Sequence, residues 1–108
     1  MAGFDEREKG FEAKYSRDQE SLFRIVSRRN RLLGRWAAEQ FGMSEDEAAA
    51  YAKEVVAADF EEPGDEDVVR KVLKDFADRG VDMDDRRLRK EMLRLRDEAA
   101  EQIEAENR

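Results

Sequence analysis

The chain has 108 residues with 28 Asp and Glu against 21 Lys and Arg, no Cys and no His, and a net charge of −7. That length holds one domain and at most one tail, and the missing Cys and His exclude disulfides, thiolate nucleophiles, imidazole bases and nearly every transition-metal site. The acidic balance argues against bulk attraction to nucleic acid or anionic lipid, and no apolar run approaches the roughly 18 residues of a spanning helix.

Residues 1–19 form the first segment. Phe4, Phe11 and Tyr15 stand in an otherwise charged stretch at spacings of seven and four, which return to one face of a helix. Gly3 and Gly10 each weaken such a helix by about 1 kcal/mol relative to Ala. Helices shorter than about 12–15 residues are marginal in water, so the segment reads as a mobile, helix-competent arm that needs a partner. The other reading is one continuous helix to Phe41, roughly 55 Å long at 1.5 Å per residue. The later helices are too short to cover such a rod, and its N-terminal stripe would overhang.

From Glu20 the apolar residues Leu22, Phe23, Ile25, Val26, Leu32, Leu33, Trp36, Ala37 and Phe41 follow the 3.6-residue period, and Gly42 supplies the stop. Trp36, on a stripe with Leu22, Val26 and Leu33, is the expected core anchor. Gly34 lies inside this helix, where the alanine-rich second helix could approach closely. Ser44 and Glu47 have capping-box spacing and open a second helix over 45–60. Pro63 and Gly64 break it, and Asp65 or Glu66 opens a third helix over 66–79 with Val68, Val69, Val72, Leu73 and Phe76 as its face. Gly80 ends that helix, and Asp82 is a plausible cap for the fourth. Leu88, Met92, Leu95, Ala99 and Ile103 mark this fourth helix over 84–106. No stretch alternates with period two. The expected fold is all-α, a small four-helix bundle over residues 20–108 with the arm at 1–19.

Clusters of acids, such as Glu45–Glu47 and Glu61–Asp67, read as helix starts and loops, because their spacing does not match an oxygen-ligand calcium loop. No metal site is expected. Arg24, Arg28, Arg29, Arg31 and Arg35 form the densest positive patch, able to grip phosphate or dock an acidic partner. No glycine-rich phosphate loop accompanies it, and pairing of these arginines with the acidic second and third helices is the preferred reading. The basic residues of the fourth helix are diluted by Glu91, Asp97, Glu98, Glu101 and Glu104 into a salt-bridged exposed face.

The runs Phe4-Asp5-Glu6-Arg7-Glu8-Lys9, Phe11-Glu12-Ala13-Lys14 and Arg28-Arg29-Asn30-Arg31-Leu32-Leu33-Gly34-Arg35-Trp36-Ala37-Ala38 resemble the zeta inhibitor subunit of alphaproteobacterial F-type ATP synthases. Tyr51-Ala52-Lys53-Glu54-Val55-Val56 and the stretch from Asp59 to Val68 are similar as well. The resemblance thins over the fourth helix to composition alone. It implies a non-catalytic regulatory subunit whose N-terminal segment becomes helical in a catalytic interface of the synthase's soluble head and blocks rotation in the hydrolysis direction. Carried onto this chain, Phe4, Phe11 and Tyr15 are its apolar anchors, and Arg7, Lys9, Lys14 and Arg17 steer it toward acidic surface. The resemblance also implies a cytoplasmic protein, peripheral to the inner membrane through the synthase, and leaves room for weak adenine nucleotide binding without any other cofactor. We expect a monomer when free. The alternative is a small nucleotide-responsive or arginine-patch binding module whose arm is incidental.

Overall fold

The structure, a computed structural model, describes the backbone of residues 2–59 and 64–107 and the side chains of residues 20–59 and 64–107. It contains four helices: α1 (Ala2–Gln40), α2 (Glu45–Ala58), α3 (Glu66–Asp78) and α4 (Asp85–Glu106). α1 contacts each of the other three helices, α3 contacts both α2 and α4, and among the described residues the α2 and α4 backbones do not approach each other. The α1 backbone is helical across the expected boundary at Glu20. The side chains of Phe4, Arg7, Lys9, Phe11, Lys14, Tyr15 and Arg17 lie outside the described residues, as does Phe60, the expected end of the second helix.

Local chemistry sets the helix ends. Gly42 (φ 72°) and Gly80 (φ 69°) take the left-handed conformation that a β-carbon disfavours, so each can follow the last helical turn. In both cases the next residue closes a six-to-one hydrogen bond, from Met43 N to Ala38 O at 3.0 Å and from Val81 N to Phe76 O at 2.9 Å. Met43 and Val81 then fold back onto the core. The capping box at α2 is complete. Ser44 Oγ accepts from Glu47 N at 3.2 Å, and Ser44 N donates to Glu47 Oε1 at 2.9 Å. These bonds hold the Glu47 carboxyl below its ordinary range, the backbone donor contributing most. The cap of α4 is Asp84, not Asp82, because the Asp84 carboxylate accepts from Arg87 N at 2.7 Å.

The core is built on the Leu33, Ala37 and Ala38 face of α1, with Tyr51 and Val55 from α2, Val68, Val72 and Phe76 from α3, and Leu88, Met92 and Leu95 from α4. One end is aromatic. Phe41 stands edge-on to Phe76 at 4.7 Å and to Tyr51 at 5.6 Å, and Trp36 tilts against Phe76 at 5.8 Å. Trp36 is therefore a half-buried flank of the core rather than its centre. Leu22, expected on the core stripe, is 44% exposed, because α1 has by then passed beyond the helices that cover it.

Gly34 faces α2 at a close approach. A β-carbon built there would stand 2.5 Å from Ala52 Cα and 3.1 Å from Ala52 Cβ. In an exposed helix, Gly→Ala would stabilise by about 1 kcal/mol. Here the sign reverses, since the nearest atom is backbone and the helices must part. Gly34→Ala should lower stability by about 1–3 kcal/mol in a thermal or denaturant melt. Ala52→Gly in the same chain should not restore it, because the clashing Cα remains. A Gly34→Ala melt at or above wild type would refute the contact.

Candidate functional site

Arg24, Arg28, Arg29, Arg31 and Arg35 lie within twelve residues of one another on α1, and the helix sends them to different places. Arg28 Nη1 donates to Gln102 Oε1 at 2.9 Å and its Nη2 to Glu106 Oε1 at 2.7 Å, fastening α1 to the last turns of α4. Arg35 reaches Glu45 at the start of α2 at 3.1 Å, an exposed pair of little energetic consequence. Arg24 and Arg31 are exposed and hold no ion pair among the described residues. Arg29 is 2% exposed, the largest fully buried side chain of the described part. Two of the arginines thus pair with the starts of α3 and α2, as expected, while Arg28 instead reaches α4.

Arg29 sits where α2 ends and α3 begins. Its Nε and Nη2 donate to Asn30 Oδ1 at 3.0 and 2.7 Å, and its Nη2 and Nη1 donate to Asp65 Oδ1 and Oδ2 at 2.9 and 3.2 Å. A guanidinium fork matches a carboxylate in this two-pronged way, which adds direction to the attraction. Asp65 occupies the N-cap of α3 but makes no side-chain cap bond there, since its carboxylate faces Arg29. Bonding to Arg29 outweighs its partial burial and holds the Asp65 carboxyl below the ordinary range. Burial pushes Asp59 the other way, although the Asn30 amide and Arg29 favour its charged form. Asp59 also caps the C-terminus of α2, where a negative charge opposes the helix dipole. The Asn30 amide nitrogen is buried without a hydrogen bond of full geometry. The Arg29 bonds consume the donors that a phosphate would use. Nothing in the sequence marked Arg29 apart from its arginine neighbours; only its helical phase with Leu33 hinted at burial.

Between α1 and α2 lies an open groove of about 430 Å³. Ala49, Ala52, Val56 and Ala57 floor it, and Arg31, Arg35 and Lys53 stand at its edges. It exists because small side chains let the two helices approach at Gly34, leaving the longer cations to line the rim. Of the sequence-predicted patch, only Arg31 and Arg35 meet here, joined by Lys53, which lies outside that patch. On the far side of α2, the Tyr51 hydroxyl donates to Asp75 Oδ2 at 2.7 Å and Lys71 Nζ to the same oxygen at 3.2 Å. Burial, then the bond to Asp75, raises the Tyr51 phenol above its usual range. Among the described residues no group of three acids could hold a metal ion, and no helix is long and apolar enough to cross a membrane.

A short helical bundle strung on one long helix is the class of protein that this architecture defines. The family model for the ATPase inhibitor subunit zeta matches residues 1–102, and the chain belongs to that family. The family is, by its name, one of ATPase inhibitor subunits. Three solved chains also match. One, a solution NMR structure, shares 46% identity and superposes with a TM-score of 0.69 over 78% of this chain and 95% of the other. No curated protein matches.

The opposite displacements of Asp65 and Asp59 yield an ordered pH dependence. Asp65, with its pKa lowered by folding, contributes stability that is whole above the ordinary carboxylate range and is lost as pH falls through its depressed folded value. Asp59, with its pKa raised, opposes folding while ionised, and that penalty fades as pH falls through its raised folded value. At pH 7, Asp65→Asn should lower stability by about 1–2 kcal/mol, and Asp59→Asn should raise it by about 0.3–1 kcal/mol. On acidification the Asp59 difference should close first and the Asp65 difference last, as melts across pH 2–7 would show. Closure in the reverse order would show the two environments to be misassigned.

Proposed function

We propose that this chain inhibits ATP hydrolysis by the F-type ATP synthase through residues 1–19, which lie as a helix in a catalytic interface of the soluble head and block rotation. The observation that carries the reading is the spacing of Phe4, Phe11 and Tyr15 at one helical phase in a segment whose backbone continues without a helical break through the rest of α1. The bundle supports it by holding the proximal part of the same helix through Leu33, Ala37 and the Arg29–Asp65 pair. Membership of the inhibitor family supplies the target. An amphipathic helix seated in a groove derives its affinity from a few apolar anchors, and the surrounding charges set approach and orientation. Arg7, Lys9, Lys14 and Arg17 take that second role.

Removing residues 1–19 should abolish inhibition of the cognate head while the remaining chain still melts cooperatively, since its core begins beyond them. Phe11→Ala should raise the half-inhibiting concentration roughly thirtyfold, the cost of a central aromatic anchor. Gly10→Ala should lower that concentration by reducing the ordering cost, and Gly10→Pro should raise it by breaking the helix. Full inhibition by Gly10→Pro beside a weakened Phe11→Ala would mean that the segment binds extended.

The α1–α2 groove favours one second reading, a weak site for a small anion with an apolar body, such as an adenine nucleotide. Three cations over an alanine and valine floor are its basis. Adding ATP should then shift the amide resonances of Ala49, Ala52 and Val56, and Lys53→Gln should reduce the shift. Shifts confined elsewhere, or none at millimolar ATP, would remove this reading.

A further inference from the structure

Only three large apolar side chains stand exposed among the described residues: Leu22 at 44%, Phe23 at 61% and Leu93 at 64%. Scattered exposed leucines are ordinary and Leu93 lies alone on α4, but Leu22 and Phe23 are adjacent and mark the place where α1 leaves the bundle. Arg28 holds Glu106, the last residue of α4, and no described element reaches past that pair to cover them. Phe23 and Ile103 form part of a shallow cavity of about 310 Å³ with Arg24, Arg28 and Arg31 around it. Glu106 neutralises Arg28, so Arg24 and Arg31 remain as the free charges of that rim among the described residues.

The phase of the helix connects this spot to the segment before it. Phe4, Phe11, Tyr15 and Leu22 succeed one another at intervals of seven, four and seven, within about 40° around an α-helix. The same line continues through Val26 and Arg29 to Leu33, which the bundle covers completely. One stripe of α1 therefore changes its cover at Leu22. From Val26 onward the bundle supplies the cover, and Leu22 is left 44% exposed. Leu22 lies roughly 10 Å along the axis from the Tyr15 position. A rigid helix that places Tyr15 in a groove brings Leu22 to the same wall.

We infer that Leu22 and Phe23 are the inner anchors of the inhibitory interface, covered by an apolar surface of the ATPase head that continues the groove taken by residues 1–19. The inference rests on the proposed inhibitory reading and extends it into the folded domain. Leu22 meets that wall in line with the Tyr15 position, and Phe23, about 100° further around the helix, meets its flank. The bundle is then more than a mass attached to an arm, since its end butts against the head and fixes how far the helix enters.

The test uses the full chain carrying Leu22→Ala and Phe23→Ala together, with Leu93→Ala as a control for loss of exposed apolar surface. Alanine is the strongest helix former, and both sites are exposed, so the melt should match wild type. The double variant should raise the half-inhibiting concentration of the cognate head roughly tenfold or more, while Leu93→Ala leaves it unchanged. If the double variant inhibits like wild type while Phe11→Ala does not, the interface ends before Leu22; the inference falls and the inhibitory reading stands. If neither change weakens inhibition, both fall. An equal loss with Leu93→Ala also overturns the inference. So does a wild-type dimer in sedimentation that the double variant dissolves, because a second copy then covers the pair.

Discussion

The approach of α1 to α2 at Gly34 and Ala52 is the constraint on which the rest of the bundle depends. With no side chain at Gly34, the α2 backbone can lie almost against α1. That distance places Tyr51 and Val55 over the Leu33 and Ala37 face instead of a turn above or below it. It also brings the C-terminus of α2 beside Arg29, so that α3 must start where its N-cap Asp65 meets that guanidinium. Phe76 then arrives beneath Trp36 and Phe41 at the other end. Larger residues at the contact would widen the gap between helices and loosen each of these meetings. A core this small has few others to replace them.

The two ends of the bundle are held by different physics. At the C-terminal end of α1, four aromatic rings pack edge and face, and the contacts are insensitive to pH and salt. At the end nearer the N-terminus, Arg29, Asn30, Asp59 and Asp65 make a partly buried polar junction. Buried pairs of this kind add direction more than stability, because desolvation cancels much of their attraction. Here the direction matters. Arg29 fixes the rotation of α1 relative to α3, and Arg28 fixes it relative to α4, so the phase of the helix is set before it leaves the bundle. On the proposed inhibitory reading, that phase decides which face the preceding residues present to the head.

Continuity of one helix through core and exit has a mechanical consequence for such an inhibitor. A flexible tether would let the segment bind while the domain drifted. A helix carries bending and twisting forces along its hydrogen-bonded length instead. On that reading resistance to a turning rotor is borne by the bundle as well as by the contacts in the groove, and Leu22 and Phe23 occupy the point where the load passes between them.

Much of this architecture is legible in the residues themselves. The 3.6-residue period, Gly42 and Gly80 as stops, and the Ser44–Glu47 box are local features, and local sterics and hydrogen bonding settle them without regard to the fold. The glycine at 34 beside a run of alanines at 48–50 and 52 likewise announces a close helix contact. The fate of the arginines is different. Arg28, Arg29 and Arg31 are alike in type and nearly adjacent, yet one clamps α4, one is buried against Asp65 and one stays in solvent. Helix phase separates them by 100° per residue, but which direction is inside depends on where three other helices pack. Leu22 shows the same division. It belongs to the apolar period as fully as Leu33 does, and periodicity gives a side chain its face but not its cover. Where the other helices stop along α1 decides that Leu33 is core and Leu22 is surface.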